Sequence, residues 1–495
     1  MLLPQADPSI LARRDEIIAR LKQVLPPGAL VIEDSGLAAF DGDALTAYRQ
    51  KPLAVAIPDR IEQVQAVMRL AGALGVNVVP RGAGTSLSGG ALPLADGILL
   101  SLAKFNRVKA IDYANRCAVV EPGVTNLAIT RAVEGRGFYY APDPSSQVAC
   151  TIGGNVAENS GGVHCLKYGL TTNNLLGLEA VLMSGALIRL GGRHLDSGGF
   201  DLLGLMTGSE GLLGVITEVT VRILPKPEAV GAALIGFESI AAAGRCVAEI
   251  IASGLIPAGL EMMDRRAVAA VEAYCAPGYP KDCDAVLFAE IDGPASDVAI
   301  GLKQLEAIAK AMGALSFRMA LEEAERQALW AGRKAAFAAM GRIAPDMLCM
   351  DGTIPRRALP RVLDQMAVLA RDYGLAFANV FHAGDGNLHP LILFDVMKPG
   401  DLEKAEAFGD DILKLCVESG GVLTGEHGVG VEKRHLLGLQ FSEAELLQQQ
   451  RLKCAFDPDG RLNPGKMFPS LHRCAELGRM HVHEGRMRFP DLPRL

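Results

Sequence analysis

The chain has 495 residues, 49% of them hydrophobic and 21% charged, with a formal net charge of −7. These values are typical of a folded protein of two or three domains and exclude a mainly disordered chain. The sequence has no long basic run, which argues against a nucleic-acid partner. No apolar stretch reaches the ~18 residues of a membrane-spanning helix, and the first residues lack the apolar region of a signal peptide. We therefore expect a cytoplasmic protein, attached at most peripherally to the inner face of the cell membrane.

The ten cysteines are scattered and include no C-x-x-C pair. This spacing favours reduced thiols over a disulfide framework. Iron–sulfur clusters need grouped thiolates, so we expect any such centre to lie on a partner rather than on this chain.

The first part of the chain is predicted to alternate short strands with helices. Apolar residues at helical spacing predict a helix over 60–74 that ends at Gly75. A short apolar strand precedes this helix and another follows it. Further elements are predicted as strands at 53–57, 77–80, 98–102, 117–121 and 215–224, a helix at 125–134, and a hairpin that turns at Ser184 and Gly185. Pro225 and Pro227 end this part, so we place a domain boundary at 227.

From residue 228 the pattern changes to longer strand–helix units. This alternation predicts an α+β domain over 228–440 with helices on one face of a sheet. The predicted elements are strands at 232–237 and 285–291, helices near 239–253, 296–312, 321–340, 401–418 and 442–455, and two strands within 376–394. Residues 441–495 form a separate C-terminal segment, and its tail, which contains His481 and His483, has no clear periodicity.

Three glycine-rich stretches indicate a phosphate site. Gly82–Gly90 follows a strand, and glycine allows backbone N–H groups to approach a phosphate closely. It matches neither the Walker loop nor G-x-G-x-x-G, and a plain surface turn is the alternative for this stretch alone. The stretches 151–169 and 207–211 add further small and amide-bearing residues. Together they predict a large phosphate-containing ligand held mainly by backbone.

The segment from His382 to His389 is predicted to be a hairpin turn with one histidine at each shoulder. Cross-strand partners have Cβ atoms ~4.5–5.5 Å apart, from which two imidazoles can reach one metal ion. Glu426 and His427 add a carboxylate and a third imidazole, and Asp385 is predicted to cap the turn. Two histidines and one carboxylate leave positions open on the ion, as in a catalytic site. The alternative is that the histidines are ordinary strand-end residues.

Arg333 shares one predicted helix face with Trp330 and Phe337. A partly desolvated guanidinium requires an anion. It is either the carboxylate of a substrate or a nearby glutamate in an intramolecular salt bridge.

The motifs PRGAGTSLSGG, YYAPDPSS, TIGGNVAENSGGVHCLKYG, TGSEGLLGVITEVTV and LNPGK resemble the FAD-binding domain of the vanillyl-alcohol oxidase/p-cresol methylhydroxylase superfamily. With the histidine motifs, the resemblance narrows to the D-2-hydroxyacid dehydrogenase branch, which includes the flavoprotein subunits of bacterial glycolate oxidase. It implies an α+β fold, with an FAD-binding domain of the p-cresol methylhydroxylase type over 1–227, a ferredoxin-like α+β substrate (cap) domain over 228–440, and a segment 441–495 that returns to the first domain.

The resemblance also implies roles for individual residues. The FAD pyrophosphate would be wrapped by Pro80, Arg81, Gly82, Ala83, Gly84, Thr85, Ser86, Gly89, Gly90 and Ala91. The rest of the cofactor would be contacted by Pro142, Asp143, Gly153, Gly154, Asn159, Ser160, Gly162, Glu210, Gly214, Ile216 and, from the C-terminus, Asn463. A divalent metal (Zn, Mn or Fe) would be bound by His382, His389 and Glu426, and the catalytic residues would be His427 as base, Arg333 as carboxylate ligand, and Asn387.

The implied reaction is oxidation of a 2-hydroxy acid to the 2-oxo acid, with hydride transfer to flavin N5. Relatives that act on 2-hydroxyglutarate carry a Lys where this chain has Cys349, which favours glycolate or D-lactate. FAD is expected to be non-covalent, with His164 and Cys165 leaving covalent attachment open. The implied partners are a related flavin-type subunit and an iron–sulfur subunit of a glycolate oxidase complex. The alternatives are a metallohydrolase that uses the same histidines, and a non-catalytic flavin-binding subunit.

Overall fold

The computed structural model describes residues 4–194 and 198–469, together with the backbone of 482–483 and 486–487. His481, named in the sequence analysis as part of the tail, lies outside the described residues. Within the described ranges, no helix combines the length and the apolar character that a membrane crossing requires.

The first sheet carries the first glycine-rich loop. Its four strands run in the order β1-β2-β4-β3, and the last three are parallel. They are β1 (Leu30–Val31), β2 (Ala54–Ala56), β3 (Asn77–Arg81) and β4 (Gly97–Ser101), with helices α1 (Pro8–Leu11), α2 (Arg14–Val24), α3 (Asp34–Leu37) and α4 (Ile61–Leu74). As predicted, α4 ends at Gly75, whose φ of 72° is the left-handed conformation that glycine adopts without strain.

The second sheet is antiparallel, with the order β5-β6-β10-β8-β9. Its strands are β5 (Val108–Asp112), β6 (Cys117–Val120), β8 (Leu175–Val181), β9 (Leu187–Gly191) and β10 (Val215–Arg222); β7 (Phe138–Tyr139) pairs separately with β11 (Leu224–Pro225). The helices of this region are α5 (Asn126–Val133), α6 (Ile152–Glu158), α7 (Cys165–Tyr168) and α8 (Leu202–Met206). Val181 pairs with Leu187, which confirms the predicted hairpin.

The third sheet has seven strands in the order β15-β12-β14-β13-β17-β18-β16, all antiparallel. They are β12 (Ala229–Phe237), β13 (Gly259–Asp264), β14 (Ala285–Gly293), β15 (Ser316–Ala320), β16 (Asp346–Cys349), β17 (Ala376–Phe381) and β18 (Pro390–Phe394). The helices of this part are α9 (Ile240–Ala252), α10 (Arg265–Cys275), α11 (Ala295–Ala311), α12 (Glu323–Met340), α13 (Leu359–Tyr373), α14 (Asp401–Glu418), α15 (Leu437–Gln440) and α16 (Glu443–Phe456).

Helices cover both faces of the seven-stranded sheet, so the prediction of helices on one face is wrong. Along β12, Ile235 and Phe237 belong to the core with α9, α11, α13 and α14, whereas Ala232 and Leu234 belong to the core with α10 and α12. Successive side chains of a strand point to opposite faces, so a strand that is apolar throughout needs cover on both.

The C-terminal segment packs on the first part of the chain. Asn463 N donates to the carbonyl of Val78 at 2.8 Å, and Leu462 is buried in the core that contains α4. The ammonium of Lys453 donates to the carbonyls of Leu212 at 2.6 Å and Leu462 at 2.8 Å. The division predicted at residue 227 falls in the connection between β11 and β12.

Candidate active site

A cavity of about 480 Å³ lies between the glycine-rich loops and the third sheet. It is lined by most of the 80–91 loop and also by Arg333, His389, Glu426 and His427. Cofactor and substrate pockets are typically concave and about 300–1,000 Å³ in volume. The cavity therefore brings the predicted phosphate loop and the predicted metal site to one place.

The first glycine-rich loop follows β3 and requires its glycines. A Cβ built on Gly82 would lie 2.2 Å from Oγ1 of Thr151, and Gly84 has a φ of 72°. Side chains at these positions would collide or be strained, so the backbone is left open toward the cavity. The loop fits a phosphate-bearing ligand such as FAD.

Most of the residues expected to contact the cofactor line this cavity: Pro80, Arg81, Gly82, Ala83, Gly84, Thr85, Ser86, Gly90, Ala91, Gly153, Gly154, Ser160, Glu210, Gly214 and Ile216. Six others are not among its lining residues: Gly89, Pro142, Asp143, Asn159, Gly162 and Asn463. The amide of Asn463 donates to the carbonyls of Gly90 and Glu210, so this residue joins two of the loops that form the cavity.

Asp143 lines a neighbouring pocket of about 440 Å³ instead. Its carboxylate lies 3.0 Å from Nδ1 of His164, whose Nε2 lies 3.0 Å from Glu290 Oε1. Both ring nitrogens of His164 are thus occupied by carboxylates. His164 lines this neighbouring pocket and does not line the cavity with the glycine-rich loop.

The predicted hairpin at residues 376–394 is present, but its two histidines are not directly opposite. His382 pairs with Asn387, and the N–H of Val380 donates to the carbonyl of His389. The histidines are therefore diagonal neighbours on one face of the hairpin, with ring centroids 5.0 Å apart. Asp385 caps the turn as predicted, since its Oδ1 accepts from Asn387 N at 3.2 Å.

His382, His389 and Glu426 place their ligand atoms within 4.8 Å of one another. Glu426 Oε1 lies 3.2 Å from Nε2 of His382 and 3.5 Å from Nε2 of His389. Two tetrahedral ligands at ~2.0–2.1 Å from one metal are about 3.3 Å apart, so these separations fit a shared divalent ion. Burial alone would raise the pKa of Glu426, but its hydrogen bond to His382 and the neighbouring imidazoles lower it to about 2.

A second possible ligand set consists of Asp351, His389 and His427. The carboxylate of Asp351, however, already accepts hydrogen bonds from Thr424 Oγ1, the amide of Asn387, and the backbone N–H groups of 425–427. These five donors occupy the lone pairs that a metal would need. Asp351 therefore positions the loop that carries Glu426 and His427.

His427 stacks on His389, with ring centroids 4.8 Å apart and an interplanar angle of 12°. Burial lowers the pKa of His427 to about 4, so the ring is neutral near pH 7. Its Nδ1 is buried and has no partner among the described residues. A neutral imidazole at the cavity wall can accept a proton.

Arg333 is 1% exposed and forms an ion pair of 2.6 Å with Glu261 Oε2. The other oxygen, Oε1, lies 2.6 Å from Nδ1 of His382. Glu261 thus connects the guanidinium and the metal-facing histidine, as in the carboxylate–histidine–metal arrangements of metalloenzymes. Nε of Arg333 has no partner among the described residues, so the guanidinium can still bind an anion in the cavity.

The sequence alone indicated neither Glu261 nor the role of Asp351. Glu261 lies in β13, an element that was not predicted, and nothing local distinguishes GLEMMD from an exposed strand. The one hint in the sequence was an acid within a run of apolar residues, because such an acid needs a partner if the strand is buried. In the structure Glu261 is fully buried.

Comparisons with known proteins agree with this architecture. Residues 52–191 match the FAD binding domain family, and residues 226–467 match the C-terminal domain family of FAD linked oxidases. The chain is 53% identical over 481 residues to the glycolate oxidase subunit GlcD of Escherichia coli K12, covering 97% of this chain and 96% of that protein. It is 39% identical to GlcD of Bacillus subtilis over 92% and 97% of the two chains, and 34% identical to a D-lactate dehydrogenase of Archaeoglobus fulgidus over 84% and 91%.

Solved structures confirm the expected fold class. The 4-ethylphenol oxidase of Gulosibacter chungangensis superposes with a TM-score of 0.79 at 20% identity, over 94% of this chain and 99% of that one. p-Cresol methylhydroxylase superposes with a TM-score of 0.78 at 17% identity, over 94% and 98%. The family matches and the fold lead to one conclusion: the chain belongs to the FAD-linked oxidases, has the fold of p-cresol methylhydroxylase, and is an FAD-dependent oxidoreductase.

Proposed function

We propose that the chain oxidises a small 2-hydroxy acid, glycolate or D-lactate, to the 2-oxo acid. The observation that carries this proposal is the convergence of a metal-type triad, a buried arginine and a neutral histidine on the cavity that also contains the glycine-rich loop. A 2-hydroxy acid has a carboxylate and a hydroxyl on adjacent carbons, which matches an arginine beside an open metal site. The glycolate oxidase subunits and the D-lactate dehydrogenase among the relatives support this class of substrate.

His382, His389 and Glu426 would hold a divalent ion, which when bound would act as a Lewis acid toward the substrate hydroxyl. FAD in the cavity would supply the hydride acceptor. Arg333 orients the substrate by its carboxylate, and Glu261 holds the guanidinium in place. His427 accepts the hydroxyl proton, a role that its neutral state and burial favour. Asn387 binds Asp351 and thereby helps to position the loop of His427.

Cys349, two residues before Asp351, bears on whether the substrate has one carboxylate or two. Cys349 is 7% exposed and lies in an apolar core. The family resemblance implies a lysine at this position in relatives that act on 2-hydroxyglutarate. A second carboxylate would have no cation at this position. We therefore propose a monocarboxylate substrate.

The reaction is tested by mixing the purified protein anaerobically with glycolate, D-lactate, L-lactate and D-2-hydroxyglutarate and following flavin absorbance. We expect bleaching with glycolate or D-lactate, and His427→Asn should slow it by about 10²–10⁴-fold with FAD still bound. His435→Asn is the matched control, because His435 is exposed and binds Asp410 on the surface. A protein whose flavin no hydroxy acid bleaches would refute the proposed activity, and unimpaired reduction in the His427 variant would refute the assigned base.

We also propose that electrons leave through partner subunits. None of the free cysteines in the described ranges belongs to a cluster of metal-type ligands. The relatives named as glycolate oxidase subunits support an assembly of several subunits. In the proposed assembly, a related flavin-type subunit and an iron–sulfur subunit would receive the electrons. If the chain alone reduced its acceptor at the full rate of the assembly, these partners would be unnecessary.

A further inference from the structure

Two carboxyl groups lie side by side in the cavity wall next to the glycine-rich loop. Glu158 is the last residue of α6, Glu210 precedes β10, and both line the cavity. A Cβ on Gly428 would lie 2.1 Å from Oε2 of Glu158 and 3.1 Å from Oε1 of Glu210. The absence of a side chain at position 428 therefore makes room for both. Neither carboxyl has a role in the reaction proposed above.

The two carboxyls differ in their hydrogen bonds. Glu210 accepts from the backbone N–H groups of Val429 at 2.6 Å and Gly430 at 2.7 Å. Oε2 of Glu158 is buried and has no partner among the described residues. Backbone donors stabilise an ionised carboxylate, whereas burial without donors favours the protonated acid. Burial raises the pKa of Glu210 as well, but its two backbone donors oppose this effect, so of the pair Glu210 is the one that carries the charge and Glu158 the one that carries the proton.

The surrounding charges do not change this assignment. Lys433 forms an ion pair of 2.8 Å with Glu432, and the ammonium of Lys466 donates to backbone carbonyls. Neither lysine is ion-paired with Glu158 in the described part of the chain. Asp43, the other charged neighbour, is a further acid. Burial and the charge of Glu210 raise the pKa of Glu158 well above its ordinary value.

Glu158 also touches the loop that would hold the cofactor phosphates. A Cβ on Gly90 would lie 2.5 Å from Oε1 of Glu158, so this carboxyl packs directly on the loop backbone. The pyrophosphate of FAD carries two negative charges. The charge of Glu210 is offset by its two backbone donors, whereas an ionised Glu158, whose Oε2 has no donor among the described residues, would add uncompensated repulsion. A protonated carboxyl can instead donate a hydrogen bond.

We propose that Glu158 binds FAD as a neutral acid and donates its proton in a hydrogen bond to an oxygen of the cofactor, so that FAD binding is coupled to protonation of Glu158. The inference rests on the proposed location of FAD in this cavity. Only the protonated apoprotein then binds tightly. Above the pKa of Glu158 in the apoprotein, the dissociation constant of FAD rises about tenfold per pH unit.

The test measures FAD binding to the apoprotein by quenching of flavin fluorescence from about pH 6 to about pH 9.5. We expect a rising dissociation constant in the wild type, a flat profile near the low-pH affinity in Glu158→Gln, and a flat but weaker profile in Glu158→Ala. Glu179→Gln is the control: this buried acid pairs with Arg189 away from the cavity and should leave the wild-type profile unchanged.

Two outcomes would overturn the coupling: a flat wild-type profile, or a Glu158→Gln profile as steep as that of the wild type. The location of FAD is tested separately with Gly84→Val, which should weaken FAD binding at every pH because Gly84 has a φ of 72°. If this variant bound FAD normally, the location itself would be wrong. If it bound weakly while the wild-type profile was flat, only the proton coupling would fail.

Discussion

Replacing Glu261 by glutamine tests the connection between Arg333 and the metal site. Glu261 is 0% exposed, and its two oxygens lie 2.6 Å from Arg333 Nη2 and 2.6 Å from His382 Nδ1. Burial alone would raise the pKa of Glu261, but the charges of His382 and Arg333 outweigh it and lower the pKa. The carboxylate is thus ionised and satisfies two donors at once.

Glutamine has one acceptor oxygen, so Glu261→Gln can satisfy only one of these two donors. The other loses a charge-assisted hydrogen bond worth about 1.5–3 kcal/mol. Arg333 also loses its countercharge, and breaking a buried ion pair costs about 3–5 kcal/mol. We expect the free energy of unfolding to fall by about 3–5 kcal/mol, and metal affinity to fall about 10–100-fold because His382 is no longer oriented.

Urea unfolding and a competitive metal titration measure these two effects. Glu179→Gln is the matched control, because Glu179 is also buried but pairs with Arg189, whose side chain is 76% exposed. That pair should contribute about 0–1 kcal/mol. If Glu261→Gln lost no more stability than the control and bound metal as tightly as the wild type, the connecting role of Glu261 would be wrong.

Three further predictions concern other parts of the site and the fold. In Asp351→Asn the loop of 424–427 loses its charged acceptor, so turnover should fall at least about tenfold while FAD content, measured by absorbance, stays near normal. A variant whose only defect was loss of FAD would contradict this prediction. Treatment with a chelator should abolish substrate-dependent bleaching and leave the flavin bound, and a bleaching rate unaffected by complete metal removal would exclude a catalytic ion. In Lys453→Met the buried Asp457 loses its cationic partner, and the carbonyls of Leu212 and Leu462 lose a donor, so urea unfolding should show a loss of about 3–5 kcal/mol. An unchanged midpoint would show that Lys453 does not hold the C-terminal segment on the first part of the chain.

Local sequence patterns were sufficient to predict many of the helices and strands. The helical spacing over 60–74 and the glycine at 75 located α4 (Ile61–Leu74) to within one residue, and the turn at Ser184 and Gly185 located a hairpin. Glycine-rich loops can also be recognised from local sequence, because the conformational freedom of a glycine is a property of the backbone at one position. The glycine-rich loops could therefore be identified without a structure. The histidine motifs could be identified likewise, from the spacing of their residues in the sequence.

The partners of buried charges were decided only by tertiary structure. From sequence, Arg333 could bind a substrate or an unspecified glutamate; in the fold it pairs with Glu261, 72 residues away, and still faces the cavity. The diagonal register of His382 and His389 likewise depends on how β17 and β18 pair. Sequence periodicity reports which side chains are buried, but which of them meet depends on strand order and register, and these are set by packing of the whole chain.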